Sequence, residues 1–172
     1  MIKKLFGLKT TILPMKMAEM YWELCKKFSS SLHQVLSNHH GKEITSTSFM
    51  LAEIIYNLWI ISHTLSADKD VLAFLHHEIF IKRFVKAFSI SQESLNKQLM
   101  ERYKEYYHSW NEQTNFPDKT NALSFVFLKN CHQEVGGKEA LNAMLSIEVT
   151  AHTLSVMQCI QESREGFVVT RS

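Results

Sequence analysis

A glutamate and a histidine, Glu148 and His152, lie four residues apart in an apolar stretch near the end of this 172-residue chain. Residues with this spacing share one face of an α-helix, so the two side chains can touch. A buried charge is costly unless it is paired, so the spacing predicts either a hydrogen-bonded Glu148–His152 pair or a binding site. On a helical projection the pair shares a stripe with Leu141, Leu145, Val156 and Cys159.

Four more polar residues interrupt apolar stretches and extend this candidate cluster. Glu53 and Asn57 are again four apart within segment 49–61, His63 follows them, and His77 lies in a run of phenylalanines. If the helices that carry these residues pack together, the groups converge. One interpretation is a satisfied core network that sets helix register, which we favour because buried polar groups normally have partners. The other is a polar cavity that binds a ligand or metal, or supplies a general base.

The nine histidines do not form a metal-binding pattern. The sequence contains no His-Glu-x-x-His, paired Cys-x-x-Cys or Cys/His finger spacing, and no nucleophile elbow, phosphate loop or dinucleotide fingerprint. We therefore predict no metal, no cofactor and no catalytic residue. The predicted function is a non-catalytic helical bundle that binds a protein or a small ligand. The alternative is a metal-binding or acid/base enzyme that uses the buried Glu/His cluster.

Charge and cysteine content narrow the class of protein. A net charge of +2 does not provide the basic face that nucleic acid requires. The longest apolar stretch, 49–61, is too short to span a bilayer, so we predict no membrane span. The odd number of cysteines and their irregular spacing indicate reduced, buried thiols, and hence a cytoplasmic protein. These cysteines are Cys25, Cys131 and Cys159.

Helices must position these side chains. Apolar residues recur at helical spacing, and five glycines and two prolines are too few for the turns of a many-stranded sheet. We predict an all-α, mostly antiparallel bundle of five or six helices at 15–166, with an N-terminal arm at 1–14 and a tail at 167–172. The third helix should present Phe74, His77, Ile81, Phe84 and Phe88 along one seam. The predicted segments are 15–37, 46–66, 68–88, 92–110, 119–135 and 138–162, with a loop at 111–118.

Two apolar surfaces predict self-association. Segment 49–61 is hydrophobic almost all round, and the seam of the third helix is rich in phenylalanine. Together they exceed what one small bundle readily covers. We therefore expect a homodimer that associates through the second or third helix.

Overall fold

The computed structural model describes residues 9–41, 43–131 and 143–170, and helices dominate it. The predicted all-α bundle is confirmed. A π-helical segment, Phe74–Ile81, joins two short helices into one continuous helix, so the described part of the chain forms six helical units. The helices are α1 (Pro14–His40), α2 (Thr47–Thr64), α3 (Lys69–Ala73), α4 (Lys82–Phe88), α5 (Gln92–Glu112), α6 (Phe116–Asn130) and α7 (Ala143–Glu165).

Side-chain caps determine where several of these helices begin. The Ser46 hydroxyl accepts a hydrogen bond from the backbone of α2, and the Ser91 hydroxyl does the same for α5. At α6 the Asn115 side chain accepts from the Asp118 amide at 2.9 Å. The predicted loop at 111–118 is therefore shorter than expected, since a proline in the first helical turn, Pro117, does not interrupt α6.

Helix α2 is the centre of the bundle and packs against α1, α5, α6 and α7. Most of its apolar residues are covered within a single chain, so most of the hydrophobicity that predicted a dimer through this helix is satisfied internally. The buried residues of α2 include three polar ones, Glu53, Asn57 and Ser62. Its fully covered large side chains include Phe49, Ile55, Tyr56, Leu58, Trp59, Ile60 and Ile61.

The predicted seam of the third helix is wrong in part. His77 is exposed, whereas the preceding residue, His76, points inward with Leu75, Ile79 and Phe80. The reason is the π-helical segment, whose i to i+5 hydrogen bonds widen the turn and shift every following side chain relative to an α-helical projection.

The two ends of the described chain pair with each other. Strand β1 (Thr10–Ile12) lies parallel to strand β2 (Phe167–Val169), so parts of the predicted arm and tail form a two-stranded sheet. The Arg164 guanidinium donates to both carboxylate oxygens of Asp68, at 2.5 and 2.9 Å, and to the Phe167 carbonyl. These contacts tie the end of α7 to the α2–α3 turn. Residues 1–8 and 171–172, and the predicted end of segment 119–135, lie outside the described residues.

Helix α7 has an apolar outer side. It is long and apolar enough to cross a membrane by length and composition, a test that core helices of soluble proteins also pass. Only 33% of that stretch is buried in the bundle. Met144, Ile147 and Leu154 are exposed along it.

Candidate functional site

Five polar side chains from helices α1, α2 and α7 form a largely buried cluster. We call this the polar cluster; its members are Ser29 and His33 on α1, Glu53 and Asn57 on α2, and His152 on α7. Glu53 and Asn57 are almost completely covered, and His33 and His152 lie half-buried at opposite edges. The cluster therefore runs from one surface groove to another.

Asn57 holds the centre of the polar cluster. Its side-chain N–H groups donate to the Ser29 hydroxyl at 3.2 Å and to the Glu53 backbone carbonyl at 3.0 Å. Its Oδ1 lies 2.9 Å from Nε2 of His152. An amide oxygen only accepts hydrogen bonds, so Nε2 of His152 carries the proton. Both N–H groups of this buried amide and one of the two lone pairs on its oxygen thus have hydrogen-bond partners.

His152 consequently presents an unprotonated nitrogen. Burial lowers the pKa of His152 to about 4, so its ring is neutral at physiological pH. With Nε2–H committed to Asn57, Nδ1 is an acceptor, and it has no hydrogen-bond partner among the described residues. Phe28 contacts the ring edge-on at a centroid distance of 6.1 Å and helps to hold its orientation.

A groove of about 690 Å³ between α1 and α7 opens onto His152. Phe28, Val35 and Ala151 provide apolar parts of its wall. The polar lining residues besides His152 are Ser31, Asn38, His39, Glu148 and Ser155. A combination of apolar surface and polar groups occurs in small-ligand sites of this size. We refer to this space as the α1/α7 groove.

The other end of the polar cluster is a carboxyl–imidazole pair. Oε2 of Glu53 lies 2.9 Å from Nδ1 of His33. Oε1 of Glu53 is buried and has no hydrogen-bond partner among the described residues. Burial raises the pKa of the Glu53 carboxyl to about 9, so this group holds a proton at neutral pH. A second space, the α1/α2 pocket of about 350 Å³, lies beside Glu53 and His33.

The predicted Glu148–His152 pair does not form. Glu148 is exposed, and no ion pair or hydrogen bond joins it to His152 in the described residues, although both line the α1/α7 groove. The projection chose the wrong face because α7 is apolar on nearly every side. Its buried residues are Leu145, Val149, Thr153, Val156, Met157 and Ile160.

The remaining predicted site residues divide between the polar cluster and other places. Glu53, Asn57 and His152 converge as expected, because α2 packs against α7. His63 instead stacks on Trp59 with a ring separation of 4.9 Å, beside Trp110. Burial, with a smaller contribution from nearby Lys119, lowers the pKa of His63. His63 and the exposed His77 thus lie outside the polar cluster.

A second satisfied network surrounds His76 in the π-helical segment. The Leu72 carbonyl accepts from Nδ1 at 2.8 Å, so Nε2 is unprotonated and accepts from the Tyr103 hydroxyl, also at 2.8 Å. Ser62 lies 3.2 Å from the same nitrogen and donates to the Leu58 carbonyl. Burial lowers the pKa of His76 and raises that of Tyr103 well above its usual value. Both groups are neutral, and the network fastens this segment to α2 and α5.

Sequence analysis missed Ser29, His33 and His76. Ser29 carried a signal, since it falls between Cys25 and Leu32 in the apolar stripe of α1, where a small polar residue indicates a buried hydrogen bond. His33 is on the flank of that stripe and has no such signal. His76 could not be found from α-helical spacing, because the π-helical turn brings it inward.

Comparisons with known proteins give no match to a family model, a curated protein or a solved structure. Within ranges 9–41, 43–131 and 143–170, no three His, Cys, Asp or Glu side chains come together as a metal-binding group.

Proposed function

We propose that this protein is a non-catalytic binding protein whose α1/α7 groove takes a small, partly apolar ligand with a hydroxyl or N–H donor. The observation that carries this proposal is the hydrogen bond from Nε2 of His152 to Asn57. It leaves Nδ1 as an acceptor beside a groove whose walls are partly apolar.

Proton affinities favour binding over acid/base catalysis. A general base works best when its pKa lies near the operating pH. The pKa of His152 is about 4, too low for an efficient base at neutral pH, and that of Glu53 is about 9, which keeps its carboxyl protonated. Each group therefore keeps one protonation state near neutral pH, and this suits a hydrogen-bonding role.

Phenol and anisole form a matched pair of probes for the groove. Phenol can donate to Nδ1 of His152, whereas anisole has a similar apolar body and no donor. One additional hydrogen bond of about 1 kcal/mol predicts roughly fivefold tighter binding of phenol. The measurement is a nuclear magnetic resonance titration that follows the amides of Ser31, Ala151 and Ser155.

Two adjacent serines provide a blocking variant and its control. Ser31 lines the α1/α7 groove, whereas its neighbour Ser30 lines the α1/α2 pocket, and both are exposed. Ser31→Trp should abolish the phenol shifts, and Ser30→Trp should preserve them. Equal affinity for phenol and anisole, or unchanged phenol binding in Ser31→Trp, would overturn the proposal.

We also propose that a second copy of this chain docks on the outer side of α7. Met144, Ile147, Ala151 and Leu154 are exposed there at intervals of three, four and three residues, a spacing that reads the same in both directions. Two such helices packed antiparallel about a twofold axis would place Ile147 opposite Ala151 and Met144 opposite Leu154. A small residue facing a large one allows close helix packing.

Sedimentation analysis tests this dimer with two matched substitutions. Ile147 is 67% exposed on the proposed interface, and Met100 is 68% exposed on α5. Ile147→Glu should convert a dimer into a monomer, and Met100→Glu should leave the dimer intact. A monomeric native protein, including one that instead partitions onto lipid vesicles through α7, would overturn the proposed dimer.

A further inference from the structure

The α1/α2 pocket is a separate space from the α1/α7 groove and has a different chemistry. It is lined on one side by Lys26, Ser30 and His33 of α1, with Glu43 at its edge and Glu53 of α2 at its base. Its volume of about 350 Å³ lies at the lower end of the range for small-ligand pockets.

One carboxyl oxygen of Glu53, the residue that lines this pocket from α2, lacks a hydrogen-bond partner among the described residues. The residue is only 2% exposed, and its Oε2 is occupied by His33 at 2.9 Å. Its Oε1 is buried, and none of the residues in 9–41, 43–131 and 143–170 forms a hydrogen bond with it. A buried acceptor that has lost its water is destabilising unless a donor reaches it. The missing partner is therefore a hydrogen-bond donor.

Charge around the pocket favours a cationic donor once Glu53 is ionised, because the protonated carboxyl adds no negative charge to the lining. Two carboxyl groups, Glu43 and Glu53, line the space. Lys26, the lysine beside them, is already paired with Glu23 at 2.7 Å, outside the pocket lining. A bound cation would be drawn to the carboxyl side of the pocket, and its attraction would increase once Glu53 gave up its proton.

We propose that the α1/α2 pocket binds a small primary ammonium ion, which donates an N–H hydrogen bond to Oε1 of Glu53. The proton shared by Glu53 and His33 then passes to solvent, leaving a carboxylate between the ammonium group and the imidazole. Met50 and Ile54, which also line the pocket, would contact a short alkyl chain. This site goes beyond the proposed function, because it shares no lining residue with the α1/α7 groove.

Proton release gives the proposal a distinctive signature. Because burial keeps Glu53 protonated below about pH 9, a cation that ionises it must displace on the order of one proton. Binding should therefore strengthen with pH by at most about tenfold per unit across the neutral range. Lys26, His33 and Glu43 face the same space, and His152 approaches from α7 through Asn57, so the variants below are compared at each pH.

The probes are n-butylammonium chloride and its neutral counterpart n-butanol. Isothermal titration in phosphate and in HEPES, which differ in ionisation enthalpy, measures both affinity and proton release. We expect saturable one-site binding of n-butylammonium, on the order of tenfold weaker binding of n-butanol, and release of about one proton. No saturable binding of n-butylammonium, or equal binding of n-butanol, would overturn the proposal.

Three variants locate the site and separate it from the α1/α7 groove. Ser30→Trp should abolish n-butylammonium binding, and Ser31→Trp should leave it unchanged. Glu53→Gln keeps the side-chain shape without an ionisable proton, so proton release and the preference for the cation should both disappear. Binding that survives Ser30→Trp, or proton release that survives Glu53→Gln, contradicts this site. Neither result tests phenol binding, which takes place in the α1/α7 groove and is blocked at Ser31.

Discussion

His152 on α7 donates a hydrogen bond from Nε2 to the buried Oδ1 of Asn57 on α2, across a distance of 2.9 Å. Asn57 in turn donates to Ser29 on α1, so one amide joins three helices. This bond determines which nitrogen of His152 remains an acceptor. The same contact therefore stabilises the bundle and sets the chemistry of the α1/α7 groove.

Replacing Asn57 by leucine should strongly destabilise the protein. The substitution leaves the His152 Nε2–H and the Ser29 hydroxyl without their amide partner in a buried environment. We expect a loss of about 2 to 4 kcal/mol in the free energy of unfolding, measured by chemical denaturation.

Asn121 provides the control for that substitution. It is exposed on α6 and accepts one hydrogen bond, from Thr150. Asn121→Leu should cost less than about 0.5 kcal/mol. If Asn57→Leu is no more destabilising than Asn121→Leu, the amide does not hold the three helices together.

Glu53→Gln should stabilise the protein increasingly as pH rises. The carboxyl has a pKa of about 9 in the folded state and about 4.5 in the unfolded chain. Between these values folding takes up a proton, so the native protein loses stability with rising pH, by at most about 1.4 kcal/mol per unit. The glutamine variant lacks this loss. A stability difference from the native protein that does not change across pH 5 to 9 would contradict the raised pKa.

His152→Gln should show the opposite dependence. The pKa of His152 falls from 6.5 in the unfolded chain to about 4 in the fold, so the native protein loses stability as pH drops through that window. Comparing the variant with the native protein at each pH cancels the other titrating groups. The variant should therefore gain relative stability on acidification. A gain on raising the pH would show that the imidazole is charged in the fold.

Tyr103→Phe should loosen the π-helical segment. The substitution removes the hydroxyl that donates to Nε2 of His76, leaving a buried acceptor with Ser62 as its nearest remaining neighbour. We expect a cost of about 1 to 2 kcal/mol and faster amide hydrogen exchange across residues 74–81. Tyr107→Phe, on the more exposed side of the same helix, is the control and should change neither quantity appreciably.

Cys25 and Cys159 should react at different rates, although the sequence predicted that all three thiols would be buried. Cys25 is fully covered, and burial raises its pKa to about 12. Cys159 is half-buried on α7. Alkylation of the folded protein should modify Cys159 first and Cys25 only on unfolding. Loss of the fast phase in Cys159→Ser would confirm the assignment, whereas a fast phase that persists would contradict it.

Periodicity predicted most of the fold because α1 and α5 each have one clearly apolar face. It failed where that contrast is absent. Helix α7 is apolar on several sides, so the stripe containing Glu148 could not be distinguished from the buried stripe containing Val149 and Thr153. The prediction for the π-helical segment was wrong for another reason. Its wider turn has no recognisable sequence signal, and as a result His76 faces inward and His77 faces solvent.

The polar cluster was predictable only in part. Glu53, Asn57 and His152 interrupt apolar stretches, which indicates burial from sequence alone. Their partners depend on how the helices rotate against one another. Glu53 pairs with His33 of a different helix, and Asn57 reaches His152 across the bundle. Helix rotation of this kind is set by packing of the whole core rather than by local spacing.

The most direct test of the α1/α7 groove is the protonation state of His152 itself. A long-range ¹H–¹⁵N correlation spectrum of the histidine rings, with the His152 signals identified by their loss in His152→Gln, reports which nitrogen carries the proton. We predict a neutral ring protonated at Nε2 that titrates near pH 4. A proton on Nδ1, or titration near the ordinary value of about 6.5, would contradict the proposal that His152 presents a constant acceptor to the groove.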